Sequence, residues 1–352
     1  MSQRLERRRD ELASVPLADE VVPVQEGGPA VSERARRGER LASLAQRQGA
    51  WVVLVLACLV ASFSFDSFAT VDNASNIAIQ TSFLAIVALG MTFAIITGGI
   101  DLSVGSVFAL GGVLAAYGSQ YGFLVALGLP LLVGAAIGLI NGVLVEKGGL
   151  APFIVTLATL LGARGLLLAI TEEGSTTFLV PRDSAFLELG RGAFLGLGYP
   201  VWIALVLAVL AGILLQRTSF GQTVYAIGGS RDAARLMGLP VVRVTVSVYV
   251  LSGVLAALAG ALLAARSGSG VTIVGVGLEL NAISAVVIGG TLLTGGAGGI
   301  SGTVAGVLLL GVIQNAINQV GSLTSSVQAV VSGAFLVLVV IGQTYLSRRQ
   351  RR

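Results

Sequence analysis

From Trp51 to Leu346 the chain is an almost unbroken series of apolar segments, each about as long as a bilayer-crossing element has to be. A helix needs about 20 mainly apolar residues to cross the hydrocarbon core. Runs of that kind lie near 50–66, 76–97, 103–118, 122–145, 151–170, 198–216, 244–265, 280–295, 300–319 and 326–346. The expected fold is all-α, a polytopic membrane protein with about ten transmembrane helices. The segments near 103–118 and 280–295 are short enough to tilt, break or be partly re-entrant. Composition agrees, with 55% hydrophobic and only 11% charged residues in 352 and a mean hydropathy of +0.90. A soluble domain carries about twice that charged fraction.

Charge is unevenly placed and gives a direction. Met1 to Ala50 holds nine of the 22 Lys+Arg and eight of the 18 Asp+Glu. This stretch is too long and too acidic for a secretory signal peptide, and it reads as a disordered cytoplasmic tail over 1–49. The transmembrane domain then covers 50–346, and a basic C-terminus covers 347–352. With both ends placed in the cytoplasm, 18 of the 22 basic residues fall on the inner side, including Lys147, Arg217, Arg231, Arg235 and Arg243. The outer segments then carry Arg182, Arg191 and Arg266 among several acids. That positive-inside bias supports a multi-pass protein of the cell membrane with N- and C-termini cytoplasmic.

Several chemistries are excluded. With no His, every His-dependent triad, zincin motif and imidazole relay is absent. The only Lys is Lys147, and no Gly-Lys-Ser/Thr occurs, so the chain has no P-loop. The single Cys58 permits no intrachain disulfide. No catalytic residue, cofactor or metal site is expected.

A polar loop over 217–243 interrupts the apolar series. In it Ser230 is a good N-cap, Asp232 suits the first turn, Gly238 fits the C′ position, and Pro240 blocks continuation. The loop is expected to contain a two-turn helix over 230–237. So short a helix is marginal alone in water, and Ala233, Leu236 and Met237 form one apolar face at i, i+3 and i+4. That face either lies on the membrane surface or docks a cytosolic partner.

The residues Gly228, Gly229, Ser230, Arg231, Asp232, Ala233, Ala234, Arg235, Leu236, Met237 and Gly238 resemble the loop by which permeases of ATP-binding-cassette importers contact their ATPase subunits. Three further blocks resemble the ribose/xylose-type sugar permeases of the branched-chain amino-acid/sugar permease superfamily: Thr97 to Ser106, Gly138 to Gly142 with Pro152 to Leu157, and Val287 to Gly296. Together they cover roughly 50–346 in the family's order. In this chain Ser230, Arg231 and Asp232 stand where family members usually carry Asn and an acidic residue, and Asn281 stands where an Asp is common. The resemblance implies a type II importer permease bundle that translocates a pentose or hexose. It also implies separate cytosolic ATPase subunits, an extracytoplasmic sugar-binding protein and a second permease chain, with no nucleic-acid partner.

Within the spans a few polar residues are candidates for the translocation pathway or its gating: Asp101, Ser103, Asn141, Arg164, Asn281 and Thr291. Asp101 follows Gly98-Gly99 and precedes a helix, so it is read either as a turn and N-cap residue with Ser103 or as a functional intramembrane charge. Arg164 either lines a polar cavity or reaches neighbouring backbone carbonyls past its flanking glycines. Asn141 either ties helices together or lines the pathway. Charges of the outer segment 171–197, among them Glu172, Arg182 and Asp183, are solvated or meet a binding protein. A rival reading is an ion-coupled carrier or channel with Asp101 and Arg164 as its charge pair. Another is an ATP-driven permease for a branched-chain amino acid or nucleoside.

Overall fold

The computed structural model describes residues 33–320 and positions 330, 333 and 334, with side chains from Gly49 onward. The chain divides into two units, Met1–Leu41 and Ala42–Arg352, and the second carries everything discussed below. In order the helices are α1 (Glu33–Ser64), α2 (Val71–Ile96), α3 (Val104–Gly118), α4 (Phe123–Glu146), α5 (Pro152–Ile170), α6 (Phe186–Arg191), α7 (Tyr199–Arg217), α8 (Ser219–Gly229), α9 (Arg231–Leu236), α10 (Val241–Ser267), α11 (Leu278–Ile288) and α12 (Ile300–Val320). One small departure from an all-α chain is the antiparallel pair β1 (Ala193–Phe194) and β2 (Leu197–Gly198), closed by a turn with Leu195 and Gly196 at positive φ.

Among the described residues six helices, α2, α4, α5, α7, α10 and α12, are long and apolar enough to cross a membrane. The apolar run near 280–295 does not form one helix. Helix α11 stops at Ile288, and positive-φ glycines at 290, 295, 296 and 298 turn the chain. Its 11 residues rise about 16 Å at 1.5 Å each, half of a hydrocarbon core about 30 Å thick. Helix α1 begins at Glu33, within the stretch whose composition reads as a disordered tail, because residues 33–48 are mostly good helix formers such as Arg, Ala, Glu and Leu. The apolar run near 326–346 lies outside the described residues, apart from three positions.

Helix α10 is the axis of the bundle and packs against α2, α3, α4 and α6. In its most apolar stretch 72% of residues are buried, against 22% in α4, α5 and α7. Those three helices therefore turn apolar side chains such as Leu124, Leu132, Leu161 and Leu205 outward. In water so much exposed apolar surface would drive association, whereas in lipid it is the ordinary outer face of a bundle.

Glycine sets the closest approach. Gly134, Gly138 and Gly142 lie four apart on one face of α4, and a Cβ at Gly138 would overlap the Tyr249 carbonyl oxygen of α10. Lipid supplies no hydrophobic force between helices, so backbone contact of this kind is what holds them. At one end of the bundle α2, α8 and the loop after α11 converge. Gly296 N–H donates to the Ile96 carbonyl at 2.9 Å, and a Cβ at Gly228 would overlap that same oxygen. At the opposite end α2 is tied to α12 by the amides of Asn73 and Asn315, which exchange hydrogen bonds of 3.1 and 2.8 Å.

Candidate functional site

The polar loop folds as its residues require. The Ser230 hydroxyl accepts the Ala233 N–H at 3.3 Å as N-cap, Asp232 sits in the first turn, and Gly238 adopts φ +75. At the loop's start Gly228 is half-buried and Gly229 exposed. On α9 itself Ala234 is fully buried while Ala233 is exposed. Leu236 and Met237, 90% and 66% exposed, extend that open face. The apolar face expected from sequence therefore stands uncovered.

The other side of α9 is fastened down. Arg231 Nη1 and Arg235 Nη2 donate to the two carboxylate oxygens of Glu146 at 2.6 and 2.7 Å, and the Glu146 side chain has no exposed surface. A buried carboxylate is tolerated when both oxygens are paired. Sequence reasoning treated both arginines as part of the docking surface and passed over Glu146. The i, i+4 spacing of two arginines on a short helix is the available signal, since it puts both guanidiniums on one face where a single acid can meet them.

A second group of polar residues is buried near the start of α3. Asp101 has no exposed surface, and its Oδ1 accepts from the Ser103 N–H at 3.1 Å and the Ser103 hydroxyl at 2.6 Å. The Ser103 hydroxyl in turn accepts from Asn141 Nδ2 of α4 at 3.0 Å. Asp101, Ser103 and Asn141 are thus brought together, and Asn141 ties two helices. The N-cap reading needs correction: Ser103 occupies the N-cap position of α3 with no side-chain cap bond, and Asp101 instead holds the turn before it. Asp101 Oδ2 has no partner with full hydrogen-bond geometry, although the Ser252 hydroxyl lies close enough to favour the carboxylate.

The remaining candidates lie elsewhere. Arg164 donates from Nη1 to the Thr272 carbonyl at 2.8 Å and from Nη2 to that of Val274 at 3.1 Å. It therefore pins the segment between α10 and α11, and it does not pair with Asp101. Among the described residues the ion pairs are those of Glu146 alone, which removes the charge pair on which the carrier reading relied. Thr291 is fully buried beneath Gly298, where a Cβ would come within 2.5 Å of the Thr291 hydroxyl. Asn281 lines a cavity of about 220 Å³ between α2, α11 and α12. Of the outer-segment charges, Arg191 is engaged, donating from Nε to the Arg266 carbonyl at 3.0 Å.

The outward-facing apolar side chains on helices long enough to cross a bilayer mark an integral, multi-pass membrane protein. Residues 73–340 match the family described as branched-chain amino acid transport system / permease component, and the chain belongs to that family. It is 41% identical to the ribose import permease protein RbsC of Escherichia coli over 309 residues, covering 87% of this chain and 96% of that one. The Bacillus subtilis protein of the same name is 43% identical, covering 84% and 92%. The L-arabinose ABC transporter permease protein AraH of Azospirillum brasilense is 38% identical, covering 91% and 93%. No solved structure matches.

Proposed function

We propose that this chain is the membrane-spanning permease subunit of an ATP-binding-cassette importer that translocates a monosaccharide. The relatives named for ribose and arabinose import span nearly the whole chain, and this supports a pentose as cargo. The observation that carries the reading is α9, whose apolar face of Ala233, Leu236 and Met237 is uncovered while its other face is fastened to Glu146. A six-residue helix with two large exposed apolar side chains is poorly stable by itself, and a groove on a cytosolic ATPase would cover it. The residues from Gly228 to Gly238 form that docking surface in this reading, with Arg231 and Arg235 turned inward as its anchor.

The complete machine in this reading has two permease chains, two ATPase chains and an extracytoplasmic sugar-binding protein. Each permease chain has about ten transmembrane helices in the cell membrane and both termini in the cytoplasm, as the arginine bias supports. Closure of the ATPases moves α9, and Glu146 passes that movement to the end of α4. Asp101, Ser103 and Asn141 join α4 to the start of α3, and they carry the movement onward to open or close the pathway at that end. Arg164 and Thr291 act as positioning residues for the segments after α10 and α11. ATP is hydrolysed on the partner subunits.

The test is to replace Ala233 and Leu236 together by Asp, which would bury unpaired charge at the proposed contact, a strongly disfavoured change. The double variant should insert normally, because α9 lies outside the spans. It should lose the copurifying ATPase and, with it, sugar uptake. Because that ATPase is cytosolic, its presence on the parent and loss from the variant also fix the side of the loop. A variant that keeps both its ATPase and normal uptake would refute the docking assignment.

A further inference from the structure

The cavity of about 220 Å³ between α2, α11 and α12 is lined by three amide-bearing residues, Gln80, Asn281 and Gln314, together with Phe83, Phe108 and Leu263. At about 30 Å³ per water molecule it has room for roughly seven waters, or one solute of monosaccharide size. None of the three amides makes a side-chain hydrogen bond among the described residues, whereas the neighbouring Thr81 hydroxyl is used up on the Ile77 and Ala78 carbonyls of its own helix. Gln80 is exposed and Asn281 and Gln314 are half-buried, so all three amides are open to whatever enters the space. Three amides facing one space call for something that both donates and accepts.

Position in the bundle adds to this. Helix α2 ends at Ile96, which touches the α8 and 289–299 segments, while Ile77 to Leu84 of the cavity wall lie 12 to 19 residues earlier. At 1.5 Å per residue the cavity is roughly 18 to 28 Å from that end. Leu263 near the end of α10, Leu278 and Asn281 at the start of α11, and Gln314 late in α12 agree. The cavity therefore belongs to the half of the bundle far from α9, the side at which an importer receives its cargo.

We infer that this cavity is a binding site for a neutral polyhydroxylated solute of monosaccharide size, held by Gln80, Asn281 and Gln314 through its hydroxyls and by Phe83 and Phe108 against its C–H face. Each amide offers both a donor and an acceptor, the pairing a hydroxyl needs. Among the described residues no charged side chain lines the space, so an amino acid would leave its carboxylate and ammonium unpaired, and the site selects against it. This deepens the sugar-importer reading and rests on it.

The test uses the full transporter in proteoliposomes. With Cys58→Ala to remove background, Asn281→Cys is labelled by a small thiol reagent in the presence of millimolar D-ribose or L-arabinose, with equiosmolar sodium chloride as control. Either sugar should slow labelling several-fold, and labelling of Gly229→Cys should be unchanged. Independently, replacing all three amides by Leu should lower ATP-driven pentose uptake by about tenfold or more, the loss of three hydrogen bonds, with the ATPase still copurifying. Unslowed labelling, or a triple-Leu variant that transports like the parent, overturns the site while the importer reading stands. A parent that takes up neither pentose at the expense of ATP overturns the reading and the site together.

Discussion

The two ends of this bundle differ in what lies between their helices. Near α9 the helices and loops meet backbone to backbone, through Gly138 on Tyr249, Gly228 on Ile96 and Gly296 hydrogen-bonded to Ile96. The charge there is locked in the Glu146 pairs. At the far end α2 and α12 are joined by the Asn73 and Asn315 amides, and beside that tie Gln80, Asn281 and Gln314 line an open cavity. The difference teaches where movement can be transmitted and where a solute can rest. A close-packed end passes a push from one element to the next without loss, because interiors at this density have no slack. A cavity walled by unpartnered amides would transmit such a push poorly, but it can hold a polar cargo.

The largest effect is expected where the packed end depends on charge. Replacing Arg231 and Arg235 together by Ala would leave the Glu146 carboxylate buried and unpaired. Breaking buried pairs in this way costs about 3 kcal/mol, the low end of the usual range, because both guanidiniums are partly hydrated. Limited proteolysis should cut the segment around 230–238 much faster in this variant, and adding Glu146→Gln should restore much of the protection. If the double-Ala protein resists protease as the parent does, the anchor contributes nothing and the contrast between the ends fails.

A smaller effect sharpens the same contrast. Gly138→Ala puts a methyl against the Tyr249 carbonyl and should destabilise the protein by about 1–3 kcal/mol through overpacking. Asn281→Leu, a change of similar volume facing open space, should move stability by less than about 1 kcal/mol. Thermal unfolding in detergent compares the two. Equal losses at both positions would mean that the far end is as tightly packed as the near one.

Much of the near end was legible in the sequence because its signals are local. Ser230, Asp232 and Gly238 announce a capped short helix, and the structure has it over Arg231–Leu236. The reach of Arg164 to backbone carbonyls and the tie made by Asn141 were also among the stated alternatives, since a polar side chain at depth has few other partners. Glu146 was missed because its partners lie 85 and 89 positions away and nothing around Lys147 marks it as buried. The break of the run near 280–295 was only half visible: hydropathy continues through Thr291 to Gly295, and backbone conformation at the glycines ends the helix. The cavity could not be read at all, because it exists only where Gln80, Asn281 and Gln314 from three distant helices meet. The carrier reading paired Asp101 with Arg164, whereas Asp101 is hydrogen-bonded by Ser103 and Arg164 by backbone carbonyls.

The most direct measurement is sugar uptake by vesicles containing the permease with its copurified ATPase, with ATP sealed inside and the extracytoplasmic binding protein and labelled D-ribose or L-arabinose outside. Uptake should require the enclosed ATP and persist when an ionophore collapses every ion gradient. Uptake that continues without ATP and stops with the ionophore would contradict the importer reading and restore an ion-coupled carrier in its place.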